Sequence, residues 1–356
     1  MRCITPLTTH ELKRYDRQIR LPEIGKKGQE KLKASSVVVI GAGALGCPVL
    51  QYLTAAGVGT IGIVDNDWVD ESNLQRQILY GSKDIEKPKP IAARDSLSRN
   101  NPEVKFNIHY IRFDTQSALK ILVNFDIIVD CTDNFSTRYL ISDAAVMLNK
   151  PVVYGALYKF SGQAVVLNYK NGPSLRCIFP EPPHPLEVPD CNEVGVLGSV
   201  AGIIGSVQAT EVIKIILETD GVLSGKMFII DAMNFSTQTI SFERIPERCE
   251  IRELKEYDFY CSSSDQTVPE IDLIKLKKMI DADPEINVID LREEELVTDL
   301  GIKTTHIPYR LINRNIDNIL KMNTTVFLCN NGIQSTDVVN YFLKTHKKNK
   351  MYVLNL

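Results

Sequence analysis

The sequence has little of several things that would narrow its chemistry. One tryptophan and five histidines occur among 356 residues, and the histidines are scattered, so no histidine metal cluster or histidine relay is visible. Charge of either sign is not in excess: 41 lysines and arginines stand against 44 aspartates and glutamates, a net charge of −3. That excludes the basic field of a nucleic-acid binder, and no nucleic acid is expected as a partner. The longest uncharged stretch, Val194 to Thr210, is rich in glycine and serine and stops at Glu211. It is short for a membrane span and reads as a buried core helix, so no membrane partner is expected. The opening MRCITPLTTHELKRYDRQIR lacks the apolar core of a secretory leader. Eight scattered cysteines then suggest free thiols in a reducing, cytoplasmic setting. Hydrophobic residues at 44% and charged residues at 24% exclude a disordered chain, and the length allows two domains.

What is present is an alternation of strand and helix patterns. Thr8 or Thr9 can cap a helical stretch over 8–34 that carries Lys13, Arg14, Arg17 and Arg20. SVVVI at 36–40 is an unbroken β-branched run and predicts a buried central strand. GAGALG at 41–46 opens a helix to Ala56, and TIGIVD at 60–65 is the next strand. Helices are predicted over 87–99, 115–123 and 136–149, and strands over 104–111, 125–130 and 151–157. The order implies an α/β fold with a Rossmann-like, doubly wound sheet. Segments 162–169, 226–231 and 236–243 predict later antiparallel strands, making the sheet mixed. Residues 173–191, with five prolines between 180 and 189, predict a long loop that is neither helix nor central strand. CSSSDQTVP at 261–269 reads as a linker. Beyond it, helix 270–280, strands at 286–290, 304–309 and 324–329, helix 333–345 and a last strand at 351–355 predict a small second α/β domain. The expected division is therefore 1–260, a linker at 261–269, and 270–356.

The glycine turn is the first chemical signal. Gly41 allows a tight turn, Gly43 lets a phosphate approach the backbone, and Gly46 lets the helix pack on the strand. Phosphate then meets free N–H groups at a helix start. Asp65 ends the next strand, 19 residues beyond Gly46, where a carboxylate can hold ribose hydroxyls. This much fits an NAD-dependent oxidoreductase as well as an ATP enzyme. DNDWVDESNLQRQI at 65–78, KPK at 87–89 and DCTDN at 130–134 favour the second. Arg76 and Lys89 are candidates to meet phosphates, and Asp133, at the carboxyl edge of the sheet, is a candidate to hold Mg2+.

RYDRQIRLPEIGKKGQEKL, GAGALG, DNDWVDESNLQRQ, KPK, DCTDN and CIFPEPP…VPDCNEVGVLG occur in this order over roughly 10–245. The set resembles the ThiF/MoeB/HesA family, relatives of ubiquitin-activating enzymes. The resemblance implies ATP-dependent adenylylation of the C-terminal carboxylate of a ubiquitin-like sulfur carrier ending in Gly-Gly. It places Gly41, Gly43 and Gly46 at the ATP phosphates, Asp65 on the ribose, Asn73, Arg76 and Lys89 at the triphosphate, and Asp133 on Mg2+. It sends Arg17 into the ATP site of a partner subunit, hence a homodimer. A carboxylate attacking the α-phosphorus is already an anion, so no general base is required. A related substrate class is a short peptide.

The cysteines extend the resemblance. Cys191, in PDCNEVG, corresponds to a crossover-loop cysteine that attacks the acyl-adenylate. The family's structural zinc uses two CxxC pairs, but here they read Ser174-Leu175-Arg176-Cys177 and Cys249-Glu250-Ile251-Arg252. Two of four thiolates are missing, so no zinc is expected and Cys177 and Cys249 are read as relics packed in the core. INVIDLRE at 286–293, HIPY at 306–309 and the loop from Cys329 to Ser335 resemble a rhodanese-like domain, in which Cys329 carries transferred sulfur from a donor such as a cysteine desulfurase. Gln334 stands where that loop usually has arginine, and the chain stops at Asn355-Leu356, so the domain is expected to be minimal and to lack a cation beside the persulfide.

Overall fold

The strand β1 (Ser36–Ile40) is buried along its length, and its side chains divide between two cores: Val37 and Val39 enter one, Val38 and Ile40 the other. A strand covered on both faces is what an unbroken β-branched run builds. The structure is a computed structural model that describes residues 5–182, 195–255, 257, 268–292, 300–330, 332–346 and 350–355. Those residues form two units, 5–182 with 195–257, and 268–355.

The first unit adds β2 (Thr60–Asp65), β3 (Lys105–Tyr110), β4 (Ile127–Asp130), β5 (Val152–Tyr158), β6 (Ser161–Leu167), β7 (Lys226–Asp231) and β8 (Ser236–Ser241). Their order is β3-β2-β1-β4-β5-β6-β7-β8. The strands from β3 to β5 pair in parallel, and those from β5 to β8 pair antiparallel. Because β1 pairs with β2 on one side and β4 on the other, chain order reverses between β1 and β4, the place where open α/β sheets form a crevice.

Nine helices surround this sheet among the described residues: α1 (Thr9–Arg14), α2 (Asp16–Ile19), α3 (Gly25–Ala34), α4 (Gly46–Ala56), α5 (Lys89–Asn100), α6 (Thr115–Leu122), α7 (Phe135–Leu148), α8 (Leu175–Ile178) and α9 (Gly198–Leu217). Leu50, Leu97 and Ile204 bring α4, α5 and α9 into one core, while Ile121 and Leu140 bring α6 and α7 into the other. α9 has 20 residues and a mean hydropathy of 1.6, enough by length and composition to cross a membrane, but half of it is buried. Its Gly205 lies against Pro48 and its Ile204 over Gly162, so small residues bring helix and sheet backbones close. The buried amide of Gln208 donates to the carbonyls of Asp130 and Val153, at 2.8 and 3.2 Å, and so ties α9 to β4, which borders the crevice, and to its neighbour β5.

The stretch expected as one helix over 8–34 is three. Pro22 and the positive φ of Gly25 interrupt it. Thr8 is the cap, in a reciprocal box with Glu11. The break at Tyr15 lets its ring pack on Gly57, where an added Cβ would lie 2.5 Å from the ring. Residues 173–191 are also not wholly irregular: α8 forms one short turn before the prolines begin.

The second unit has β9 (Glu270–Asp272), β10 (Asn287–Asp290), β11 (Thr305–His306), β12 (Thr325–Leu328) and β13 (Met351–Asn355), in the order β11-β10-β12-β13-β9, all parallel. Its helices are α10 (Leu273–Ala282), α11 (Ile316–Lys321) and α12 (Ile333–His346). β12 alternates as β1 does, with Phe327 in one core and Val326 and Leu328 in the other. The helix expected from 270 begins three residues later, since Glu270–Asp272 pairs with β13 and Asp272 then caps α10 by accepting the Lys275 N–H. The strand expected over 304–309 is only two residues long, because a 3-10 segment takes over at Tyr309, after Pro308.

Replacing Gln208 with alanine leaves two buried carbonyls short of a donor and opens a cavity. It should cost about 2–4 kcal/mol of unfolding free energy, measured by denaturant titration monitored on the first unit.

Candidate active site at the sheet's switch point

The turn after β1 is made by backbone contact. Gly41 has φ of +94°, and a Cβ there would lie 2.7 Å from the carbonyl oxygen of Cys131, at the end of β4. A Cβ on Gly46 would lie 2.1 Å from the Gly41 carbonyl oxygen. Gly43 is different: the nearest atom to such a Cβ is Gln77 Nε2 at 3.7 Å, so this glycine borders open space. No side chain caps the start of α4. First and third glycines close the turn, and the second leaves room for a ligand to approach the backbone.

Two groups clamp the residue between them. Asp65 Oδ2 accepts the Ala42 N–H at 2.7 Å, and the Tyr80 hydroxyl donates to the Ala42 carbonyl at 2.7 Å. Asp65 Oδ1 accepts the Asp67 N–H at 2.8 Å. Burial pushes the Asp65 carboxyl above its ordinary pKa, with the Lys89 charge opposing. Lys89 opens α5, and its ammonium bonds the exposed Asp67 carboxylate at 2.9 Å while its own side chain is 6% exposed. The lysine is thus held beside the Gly turn by a partner that a phosphate can displace.

Asn73 and Arg76 lie on the strap that crosses this turn. Asn73 accepts from the Gln77 amide, and the Arg76 guanidinium donates to the Ser72 carbonyl at 3.1 Å. The start of α9 seats this strap, since a Cβ on Gly198 would meet the Gln75 carbonyl oxygen at 2.6 Å. Asp133 is exposed on the loop after β4, next to Asn134, whose side chain caps α7. That loop is anchored from below. Asp130 accepts from the Thr132 N–H and hydroxyl, and buried Arg138 donates to the Thr132 carbonyl at 2.8 Å and to the Tyr154 hydroxyl at 3.1 Å. Burial raises the Asp130 carboxyl pKa, and Arg138 counters it.

Gly41, Gly43, Gly46, Asp65, Asn73 and Lys89 therefore gather at one turn, while Arg76 lies on the strap over it and Asp133 on the loop whose start touches Gly41. Arg17 does not join them within its own chain. It is exposed on α2, which packs at the far end of α4, where Gln18 donates to the Ala56 carbonyl at 3.1 Å; α4 is about 16 Å long at 1.5 Å per residue. Cys191 lies outside the described residues.

In the second unit Cys329 is buried at the end of β12. Ser335 donates its N–H to the sulfur at 3.4 Å, and its hydroxyl lies 3.3 Å away. An ion pair lies on the neighbouring strand end. Arg292 leaves the end of neighbouring β10, pairs with Asp290 at 2.7 Å, and has its pKa raised by Asp290 first and by Cys329 as well.

Residues 15–251 match the ThiF family. The chain belongs to that family. The ThiF match spans both the glycine turn and the strap over it. Among its relatives, the Sulfur carrier protein adenylyltransferase of Thermus thermophilus is 45% identical over 71% of this chain and 98% of its own length. The Adenylyltransferase and sulfurtransferase MOCS3 of Culex quinquefasciatus is 38% identical over 98% of this chain and 82% of its own length, so similarity extends through the second unit. Probable adenylyltransferase/sulfurtransferase MoeZ of Mycobacterium tuberculosis is 39% identical over 94% and 88%. The ThiF fold is shared with the crystal structure of E. coli MccB with ATP, at a TM-score of 0.60 and 22% identity, over 68% of this chain and 75% of that one.

Tyr80, Arg138 and Asp130 were not singled out from the sequence, though all three hold the ThiF crevice in shape. Asp130 ends a visible strand, but nothing in the local pattern marks Tyr80 or Arg138. Replacing Tyr80 with phenylalanine leaves the Ala42 carbonyl without its buried donor. The expected loss is about 1–2 kcal/mol of stability, read by thermal and denaturant unfolding.

Proposed function

We propose that this chain uses ATP to adenylylate the C-terminal carboxylate of a ubiquitin-like sulfur carrier ending in Gly-Gly, of the kind that feeds thiamine, molybdopterin or tRNA thiolation. The observation that carries this reading is the crevice between β1 and β4, where a glycine turn, Asp65, two cations and an exposed carboxylate converge, in a ThiF-family chain similar over nearly its whole length to adenylyltransferase–sulfurtransferases.

The turn from Gly41 to Gly46 receives the triphosphate, and Asp65 orients the ribose with the lone pairs left by its two backbone bonds. Lys89 and Arg76 neutralise phosphate charge, with Asn73 beside them. A free carboxylate oxygen of the carrier attacks the α-phosphorus, a new P–O bond forms, and pyrophosphate departs. Positioning and charge neutralisation supply the rate, since the nucleophile arrives ionised. Asp133, an exposed oxygen donor at the carboxyl edge of the sheet, fits Mg2+. Bound there, Mg2+ would offset charge on the phosphates.

The division of labour follows the chain: residues 1–260 adenylylate, 261–269 link, and 270–356 carry sulfur. Cys329 receives sulfur as a persulfide from a donor such as a cysteine desulfurase, with the Ser335 N–H donating to the cysteine sulfur. Its terminal sulfur attacks the acyl-adenylate carbonyl, a C–S bond forms and AMP departs, giving an acyl disulfide on Cys329; a second thiol, Cys191 or a small thiol, then attacks the Cys329 sulfur, forms a disulfide with it and releases the carrier thiocarboxylate. Direct attack by Cys191 on the acyl-adenylate would instead give a thioester, again with loss of AMP. The chain works as a cytoplasmic homodimer. Arg17 is remote from its own turn, and Tyr52 and Ile78 leave an apolar face beside α4, exposed at 56% and 61%, for a second copy.

ATP–pyrophosphate exchange with Mg2+ should occur with one of a panel of Gly-Gly-ending carriers, and Asp133→Ala should lower it by roughly two orders of magnitude. Absence of exchange with every carrier, despite ATP binding, would sink the reading. Cys329→Ser should retain exchange and lose thiocarboxylate formation, scored by mass spectrometry of the carrier. Arg17→Ala and Asp133→Ala, each strongly impaired alone, should recover exchange when mixed and allowed to swap subunits; no recovery would refute action across the dimer.

A further inference from the structure

Cys177 and Cys249 are 72 positions apart in sequence, yet their sulfurs lie 3.5 Å from one another. Both are buried and both are free thiols. Ser174 completes the cluster, with its hydroxyl 3.5 Å from Cys177 Sγ and 3.4 Å from Cys249 Sγ. No group of three or more His, Cys, Asp or Glu suited to a metal occurs among the described residues. Arg252 points into solvent, 90% exposed.

The two thiols are not equivalent. Cys177 Sγ accepts the Ile245 N–H at 3.3 Å and sits beside the Ser174 hydroxyl. Burial disfavours its thiolate, but these donors outweigh burial and lower its pKa, whereas burial and the neighbouring sulfur raise that of Cys249. One sulfur is therefore disposed to act as nucleophile and the other remains a thiol beside it.

We propose that Cys177 and Cys249 form a reversible disulfide under two-electron oxidants such as hydrogen peroxide. The Cys177 thiolate attacks one peroxide oxygen, an S–O bond forms, the O–O bond breaks, and hydroxide leaves to become water. Cys249 sulfur then attacks Cys177 sulfur, the S–S bond forms, the S–O bond breaks, and the second oxygen departs as water with the Cys249 proton. Two thiols lose two electrons in all, and one peroxide becomes two waters. The sulfurs must close from 3.5 Å to about 2.05 Å. Both segments that carry them are short, α8 and the 3-10 turn Pro246–Cys249, and they end within loops.

The position makes the bond consequential. α8 is clamped to α7 by Arg176, which forms a two-point ion pair with Asp143 at 2.8 Å. Asp143 also accepts from the Tyr257 hydroxyl, near the end of the first unit. A disulfide here staples the chain's exit from that unit to the start of the proline-rich stretch leading to Cys191.

The test uses the full-length chain. After brief peroxide treatment and alkylation, peptide mapping should find a linked Cys177–Cys249 pair, reversed by dithiothreitol, and the unfolding transition of the first unit should rise by about 5 °C or more. Cys249→Ser should abolish both changes while leaving the reduced transition in place. The wild-type comparison, oxidised against reduced, decides the matter even if that variant folds poorly. The proposal fails if both cysteines alkylate freely after treatment, if they are recovered as unlinked sulfinic acids, or if purified protein holds stoichiometric zinc that protects them.

Discussion

At the carboxyl ends of β1 and β4, backbone must touch backbone. A single added carbon at Gly41 would strike the Cys131 carbonyl, and one at Gly46 would strike the Gly41 carbonyl. No rotamer change relieves either clash, because the obstructing atoms are main chain. This contact sets the spacing between the two central strands' loops, and so the width of the crevice that both loops line. The groups around it then take up fixed tasks. Asp65 and Tyr80 clamp Ala42 from its N–H and its carbonyl, and Gln208 ties α9 to the carbonyls of Asp130 and Val153.

The site separates holding from binding. Asp130 and Arg138 are buried and spend their hydrogen bonds on the loop after β4. Asp133, three residues beyond Asp130, is exposed. Lys89 shows the same economy in one residue, with a buried stem and a head paired to an exposed, displaceable carboxylate. A buried lysine and a half-buried arginine beside open space suit a polyanion. The second unit has a buried pair of the same kind: Asp290 holds Arg292 by two-point bonding at the end of the strand beside β12.

Much of this was legible in the residues. Unbroken β-branched runs marked β1 and β4 because strands covered on both faces have no polar positions to hide. The glycine spacing and the acid ending β2 marked the crevice for the same reason that they form it. Three features were not legible. β9 is three residues long and reads as the start of the helix behind it, since only its pairing with β13 makes it a strand. Tyr80 and Arg138 are ordinary residues on loop and helix whose partners lie 38 and up to 16 positions away. Gln334 is the visible change in the sulfur loop, whereas the Asp290–Arg292 pair, on the neighbouring strand end and 37 positions before Cys329, is not marked by it.

The sequence by itself determined the alternating elements, the order of the motifs and the chemistry available at each, because periodicity, turn chemistry and side-chain type are local properties. Tertiary structure alone decided which of those residues meet. It set the start of the loop that carries Asp133 against Gly41, left Arg17 at the far end of α4, and put Cys177 against Cys249. The reason is physical: strand pairing at a topological switch point joins segments that are distant in the chain, and no local pattern encodes the distance between them.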